Sequence, residues 1–233
     1  MTALPEDDTA AIRSRVDTLL VQGKNVYQPL YNYPFEPAIG PLRPCEDRCR
    51  AVEAAMDGRV TGRRLWDAGC SLGYNTLYFV DRGMVGRGSD IDPRNVSLCQ
   101  EIQRYTPGEA TFVQEELSAE TVAQIASGEY DYAFFFSLLH HIVQNKGLDY
   151  VQAMMRDLTE RIPVLFVELA LKSETPPPGY TWDAYLPEDE LEIFATCGAL
   201  DIQLVGHFAT HVGPVERPLY RVSGKPGAGG GTP

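Results

Sequence analysis

The chain has 233 residues, and 20 Lys+Arg stand against 32 Asp+Glu for a formal net charge of −12. That length fits one domain around a sizeable core, and 44% hydrophobic with 22% charged residues is ordinary for a globular chain. The acidic balance argues against a nucleic-acid partner, whose phosphates call for clustered Lys and Arg, and no apolar run approaches the roughly eighteen residues of a membrane span.

Residues 1–8 are acidic rather than a basic signal flank, and the five cysteines are scattered and odd in number. Both features give the expectation of a cytoplasmic protein without a disulfide framework. Cys45 and Cys49 would share a helix face, but no second Cys or His pair with ligand spacing completes a zinc site. Buried, unreactive cysteines are expected.

In chain order, residues 10–21 pattern as a short helix. Then Val26-Tyr27-Gln28-Pro29-Leu30-Tyr31-Asn32-Tyr33-Pro34-Phe35 interleaves aromatic rings with prolines. Such a stretch is neither a regular helix nor a central strand. It reads as an ordered arm whose rings pack on the core or form a lid over a ligand. Helical spacing returns over 46–56 at Cys49, Val52, Ala55 and Met56.

After Gly58 short apolar runs alternate with amphipathic stretches. Strands are expected at 65–67, 84–90, 111–114, 130–137 and 164–171, with helices at 74–81, 93–105, 118–126 and 148–161. Pro93 suits a first helical turn. The run Pro176-Pro177-Pro178-Gly179 marks a loop, 188–197 patterns as a helix closed by Gly198, and 202–210 with 218–223 alternate like an antiparallel pair. Strand–helix alternation builds a parallel sheet with helices on both faces, and Ala133-Phe134-Phe135-Phe136 suits a strand buried on both sides. The expected fold is α/β, doubly wound and Rossmann-like, with a seven-stranded, mostly parallel sheet and an antiparallel C-terminal hairpin. Residues 1–57 form the arm and its helix, 58–222 the main domain, and 223–233, rich in Gly and Pro, a disordered tail.

The most informative stretch is Asp67-Ala68-Gly69-Cys70-Ser71-Leu72-Gly73-Tyr74-Asn75-Thr76, which follows a strand and opens a helix. Its glycines let backbone approach a ligand at the sheet edge where α/β proteins bind ligands. The spacing is not that of a dinucleotide loop, and no Gly-Lys-Ser/Thr is present for a nucleoside triphosphate. Asp67 at the strand end would repel phosphate and attract an ammonium.

Asp-x-Gly-x-x-x-Gly, with Asp90 closing the next strand in Gly88-Ser89-Asp90, resembles the class I S-adenosylmethionine-dependent methyltransferases. The resemblance implies that cofactor, with Asp67, Gly69, Cys70, Gly73 and Tyr74 beside its methionine part. It gives Asp90 the ribose hydroxyls, a bidentate charge-assisted contact, with Asp92 as the fallback. Glu115 or Glu116 would correspond to the adenine contact, and Ser137 and Gln28 are assigned to the same shell.

On the acceptor side, His140 and His141 follow the fourth strand, where many O-methyltransferases carry a general base. A positioned base helps a hydroxyl attack by about 10²–10⁴-fold, and imidazole is partly neutral at cellular pH. Glu168 lies in an apolar strand, where an unpartnered carboxylate is costly. It is expected to orient a histidine, meet a substrate hydroxyl, or join His140 in holding a Mg²⁺ ion that the residues permit without demanding.

Leu138-Leu139-His140-His141-Ile142-Val143, Gly147-Leu148-Asp149-Tyr150-Val151, Val167-Glu168-Leu169-Ala170-Leu171-Lys172 and Thr210-His211 before Arg217-Pro218-Leu219-Tyr220 narrow the resemblance. Tyr27-Gln28 and Arg43-Pro44-Cys45 with Arg48 fit as well. They look like a methyltransferase subgroup that includes the methyltransferase domain of the bacterial O-antigen polymannose terminator. A free-standing chain of this length is also similar to the mycobacterial methylmannose-polysaccharide methyltransferases. The resemblance implies O-methylation of a mannose-type oligo- or polysaccharide hydroxyl. A terminal phosphate, a small natural-product hydroxyl, or a non-catalytic cofactor-binding subunit are the alternatives. Tyr27, Arg43, Tyr180, Trp182, His211 and Arg217 are the expected acceptor contacts, since aromatic faces stack on sugar C–H faces. A homodimer is left open.

Overall fold

The computed structural model describes residues 6–19, 25–32, 41–56 and 58–225. Its elements run α1 (Glu6–Asp17), α2 (Glu46–Ala55), β1 (Arg64–Ala68), α3 (Tyr74–Val80), β2 (Val85–Asp90), α4 (Pro93–Gln103), β3 (Glu109–Gln114) and α5 (Ala119–Gln124). Then come β4 (Tyr132–Phe136), α6 (Leu139–Lys146), α7 (Leu148–Arg161), β5 (Val164–Glu168), β6 (Leu200–Ala209) and β7 (Glu216–Gly224). The seven strands form one sheet in the order β3-β2-β1-β4-β5-β7-β6. β1 to β5 are parallel, and β7 lies antiparallel to both β5 and β6. This is the expected doubly wound fold with its C-terminal hairpin.

Period-2 alternation divides the core between the two faces. Phe134 and Phe136 of β4 join Phe166, Leu77 and Val52 on one side. Ala133 and Phe135 join Trp66, Val151 and Met155 on the other. The strand order reverses between β1 and β4, so the carboxyl ends of β1, β2, β4 and β5 open on one crevice, the usual ligand position of such sheets.

α6 is a helix that the sequence pattern does not give, β5 stops at Glu168 instead of residue 171, and three further elements differ from their pattern. Over 188–197 only a 3-10 turn forms at Glu190–Phe194. The Glu192 carbonyl there accepts from Ala195 N, three residues on, and from the Gln152 side chain of α7, which ties the segment to α7 in place of a regular α-turn. α1 ends at Asp17, and position 21 lies outside the described residues. β7 runs through Gly224, and Lys225 N donates to Ala199 O, so the sheet claims the start of the expected tail. The rest of that tail, and Tyr33 and Phe35 of the arm, lie outside the described residues.

Within the arm, Leu42 N donates to Val26 O. Tyr31 is buried, donates its hydroxyl to Asp81 Oδ2 at 2.6 Å, and sets its ring on Tyr74 and Tyr78 of α3. Half of the arm's aromatics in the described part are thus core packing; Tyr27 goes elsewhere. Among the described residues no helix is long and apolar enough to cross a membrane.

Candidate functional site

The loop between β1 and α3 is built around left-handed backbone. Gly69 and Gly73 have φ of +71° and +74°. A Cβ on Gly73 would sit 2.9 Å from Cys99 Sγ, and one on Gly69 would press on the Leu138 methyls at 3.0 Å. Only glycine meets both demands. Ser71 between them is left-handed too, at φ +51°, and its amide is held by Asp90.

Asp90 closes β2 with its carboxylate organised by three donors. Ser71 N reaches Oδ2 at 2.8 Å, while Asp92 N and Asn95 Nδ2 reach Oδ1 at 2.9 and 3.1 Å. It faces a cavity of about 530 Å³ with Ser71, Leu72, Ile91 and Asn95 on the sheet side. Thr18 and Leu19 after α1, Tyr27 of the arm, and His141 and Tyr180 enclose it from the other side. The side-chain-free glycine cradle and the fixed carboxylate fit a polar, ribose-bearing ligand.

A second cavity of about 500 Å³ adjoins it, lined by His140, His141, Tyr180, Trp182, His211 and Arg217 among others. Tyr27, His141 and Tyr180 belong to both cavities. His140 and His141 open α6, with ring centroids 4.1 Å apart. Trp182, on a 3-10 turn at Trp182–Ala184, meets His140 edge-on at 4.5 Å. Tyr27 meets His211 edge-on at 5.2 Å. Burial, then the nearby Arg217, hold the pKa of His140 well below the usual imidazole value, and those of His141 and His211 below it. All three rings are therefore neutral around pH 7.

Glu168 ends β5 without any exposure and is gripped by two guanidiniums. Arg43 Nη2 donates to Oε2 at 2.8 Å, and Arg48 Nη2 to Oε1 at 3.1 Å. Arg43 Nη1 also donates to Ser137 Oγ at 2.6 Å and to Tyr27 Oη at 3.2 Å. One network thus joins the arm, α2, Ser137 in the turn between β4 and α6, and the end of β5. Arg217 forms a second buried pair, bidentate with Glu174.

No protein-family model matches the chain. Over 212 residues it is 31% identical to the O-antigen chain terminator bifunctional methyltransferase/kinase WbdD of Escherichia coli. A crystal structure of WbdD with the kinase inhibitor LY294002 superposes with a TM-score of 0.80 at 27% identity, over 91% of this chain and 47% of that one. The chain has a class I S-adenosylmethionine-dependent methyltransferase fold related to the methyltransferase domain of WbdD. The match takes in 89% of this chain but 29% of the curated WbdD sequence, so the chain spans under a third of that relative. The S-adenosylmethionine-bound structure of magnesium protoporphyrin IX methyltransferase from Synechocystis PCC 6803 shares the fold, at TM-score 0.57 and 18% identity over 97% of this chain and all of that one.

In this methyltransferase the expected residues divide by place. Asp90 and the loop come together at the first cavity. Asp67 instead lies buried beneath the loop, accepting from Thr76 Oγ1 at 2.7 Å, and burial pushes its carboxyl up to about 7. Cys70 is buried, and Tyr74 packs against Tyr31 and Tyr78. Glu115 pairs with Arg87 at 2.9 Å, Glu116 is exposed, and neither lines either of the two cavities described above. Gln28 is buried, with Oε1 unpartnered among the described residues.

Tyr27, Tyr180, Trp182, His211 and Arg217 come together around the second cavity, with both histidines. Arg43 sits behind them, spent on Glu168, Ser137 and Tyr27. The expectation for Glu168 is corrected: its oxygens accept from Arg43 and Arg48 and bond neither His140 nor His141, and the two guanidiniums beside the carboxylate oppose a divalent cation there. Pairing with His140 as a metal-binding set fails for the same reason, and among the described residues no three His, Cys, Asp or Glu side chains converge on a metal position. Sequence reading missed Glu174, which sits in a polar loop where nothing announces a buried partner, and gave Arg48 no role.

Proposed function

We propose that the enzyme methylates a hydroxyl of a mannose-type oligo- or polysaccharide, with S-adenosylmethionine over the glycine loop and the acceptor in the adjoining cavity. The observation that carries this reading is the shared wall of Tyr27, His141 and Tyr180, beside which a donor methyl and an acceptor oxygen would meet. S-adenosylmethionine supplies an electrophilic methyl on its sulfonium. Asp90 would accept the ribose hydroxyls, and His141 would take the proton of the acceptor hydroxyl as its oxygen bonds to the methyl carbon and the carbon–sulfur bond breaks, its electron pair going to sulfur to leave S-adenosylhomocysteine. The walls hold the acceptor for in-line attack, which is where much of the acceleration of such a transfer arises. Tyr180 and Trp182 offer ring faces to sugar C–H groups.

Methylation of a terminal phosphate is the second reading, favoured by the kinase in the relative's name and by Arg217 on the wall. It ranks lower because Glu174 already meets the Arg217 charge. Labelled S-adenosylmethionine offered with manno-oligosaccharides and with mannose phosphates separates the two. Label in the oligosaccharide, located by mass spectrometry, is expected; label in the phosphate ester alone would overturn the first reading.

Asp90→Ala is expected to weaken binding of S-adenosylhomocysteine by about 1.5–3 kcal/mol, the worth of hydrogen bonds to a charged group. Calorimetry on the folded variant checks it. Unchanged affinity would remove Asp90 from the ribose, and Asp92 is a poor substitute because it caps α4 and pairs with Arg94 at 2.6 Å.

Tyr27 borders both cavities, so the arm is also expected to behave as a lid. Backbone hydrogen exchange over residues 25–32 should slow when S-adenosylhomocysteine and acceptor are added together. Equal protection with and without ligands would leave the segment a fixed wall.

A further inference from the structure

We propose that Trp182 and His140 together read one further hydroxyl of the acceptor, adjacent to the one methylated, and so select a hydroxyl-rich acceptor over an anionic one. The inference rests on the carbohydrate reading above and names the groups that enforce it. Trp182 and His140 are 2% and 3% exposed, and both line the acceptor cavity. Trp182 Nε1 and His140 Nδ1 are buried, and neither has a hydrogen-bond partner among the described residues. The other tryptophan shows the contrast: buried Trp66 donates its Nε1–H to Ser89 Oγ at 3.0 Å. Buried polar atoms in native proteins are nearly always paired, so two orphans in touching rings point to a group that completes them.

The chemistry of that group follows from the two atoms. An indole nitrogen only donates, and with the proton of neutral His140 assigned to Nε2 its Nδ1 only accepts. A hydroxyl does both: it accepts from Trp182 and donates to His140. The two rings are neighbours, with centroids 4.5 Å apart, and one hydroxyl is assigned to both nitrogens. A carboxylate or dianionic phosphate only accepts, so it would satisfy the indole and turn its lone pairs on Nδ1. Protonating His140 would relieve that conflict, but burial and Arg217 hold the ring neutral. Arg217 offers no compensation, because its guanidinium, 5.8 Å from the Trp182 ring centre, is already bidentate with Glu174. His141, the base, lies one ring away at 4.1 Å, which puts the hydroxyl that is read beside the hydroxyl that is attacked.

The test is methyl transfer to a manno-oligosaccharide and to its monodeoxy analogues, each lacking one hydroxyl. Wild-type enzyme should reject one analogue, besides that lacking the methylated hydroxyl, by about 10- to 100-fold in kcat/KM, because removing one partner strands buried polar groups. In Trp182→Phe, which keeps a ring and loses the donor, that ratio should fall toward one. An unchanged ratio in the variant overturns the proposal, as does wild-type enzyme that treats the remaining analogues alike. A binding readout needs no variant: with two tryptophans, the indole N–H resonance of Trp182 should shift on adding the oligosaccharide with S-adenosylhomocysteine, while that of Trp66 stays. A still Trp182 resonance beside an oligosaccharide that is methylated would count against it. Methylation of mannose phosphates and of no oligosaccharide would instead sink the carbohydrate reading, and the proposal with it.

Discussion

Glu168→Ala should lower folding stability by about 3–5 kcal/mol, the cost of stripping one partner from a buried ion pair and leaving the other charge uncompensated. The effect belongs at the upper end because the carboxylate serves two guanidiniums, Arg43 and Arg48, which are 3% and 0% exposed. Arg48 would keep Pro44 O and Ala209 O as acceptors, and Arg43 would keep Ser137 and Tyr27. The solvent-exposed Asp47 carboxylate, 3.3 Å from Arg48 Nη1, is a weak counter-charge for Arg48, and Arg43 keeps only neutral acceptors. The urea midpoint of the variant against wild type reads the loss, and Glu168→Gln, which keeps the shape, should fall between. A midpoint within error of wild type would mean that water reaches the guanidiniums easily.

The same pair sets an acid limit. Burial alone would raise the Glu168 pKa, but Arg43 and Arg48 outweigh it and hold the carboxyl below its ordinary 4.5. A group depressed in the folded state contributes stability that is complete above the unfolded pKa and is lost as pH falls through the folded one. Wild-type protein should therefore lose stability below about pH 4.5, and Glu168→Ala should lack this component.

The buried carboxylate also shows where sequence reading stops. An apolar strand ending in Glu168 announces that a partner exists, because an isolated charge there is too costly. It does not say which. Arg43 and Arg48 lie 125 and 120 residues away in sequence and arrive through the N-terminal arm and α2, whereas the histidines lie near in both sequence and strand order. The nearer candidates were the wrong ones. The parallel core was legible because alternation of period 2 and of period 3.6 along β1 to α7 agrees with the local turn chemistry. The glycine loop was legible because positions of positive φ leave glycine as their mark. By contrast, Glu188 to Cys197 carries the apolar spacing of a helix, and only its backbone bonds, Glu192 N to Asp189 O and Ala195 N to Glu192 O, show that Glu190–Phe194 winds as a 3-10 turn. The shared wall of the two cavities was legible as a set of residue types and not as a place, since Tyr27, His141 and Tyr180 come from three separate segments.

His141→Ala is expected to lower kcat by about 10²–10⁴-fold, the usual contribution of a positioned general base, with binding of S-adenosylhomocysteine little changed. The position argues for His141 over His140: His141 borders both cavities, and His140 borders the acceptor side alone. Burial first, then Arg217 and His211, lower its pKa from the ordinary 6.5. The neutral, proton-accepting form therefore predominates at pH 7, and the rate should be level through neutral pH. It should fall on the acid side with a midpoint below 6.5, and the residual rate of His141→Ala should lack that limb. His140→Ala should act mainly through a weaker KM for the acceptor, because His140 holds a neighbouring hydroxyl and takes no proton in the transfer. Single-turnover rates across pH, with calorimetry of cofactor binding, separate lost chemistry from lost affinity. If His141→Ala turns over at near the wild-type rate and keeps the acid limb, the base lies elsewhere or none is used. An already anionic phosphate oxygen needs no proton removed, so that result would bring the phosphate acceptor forward.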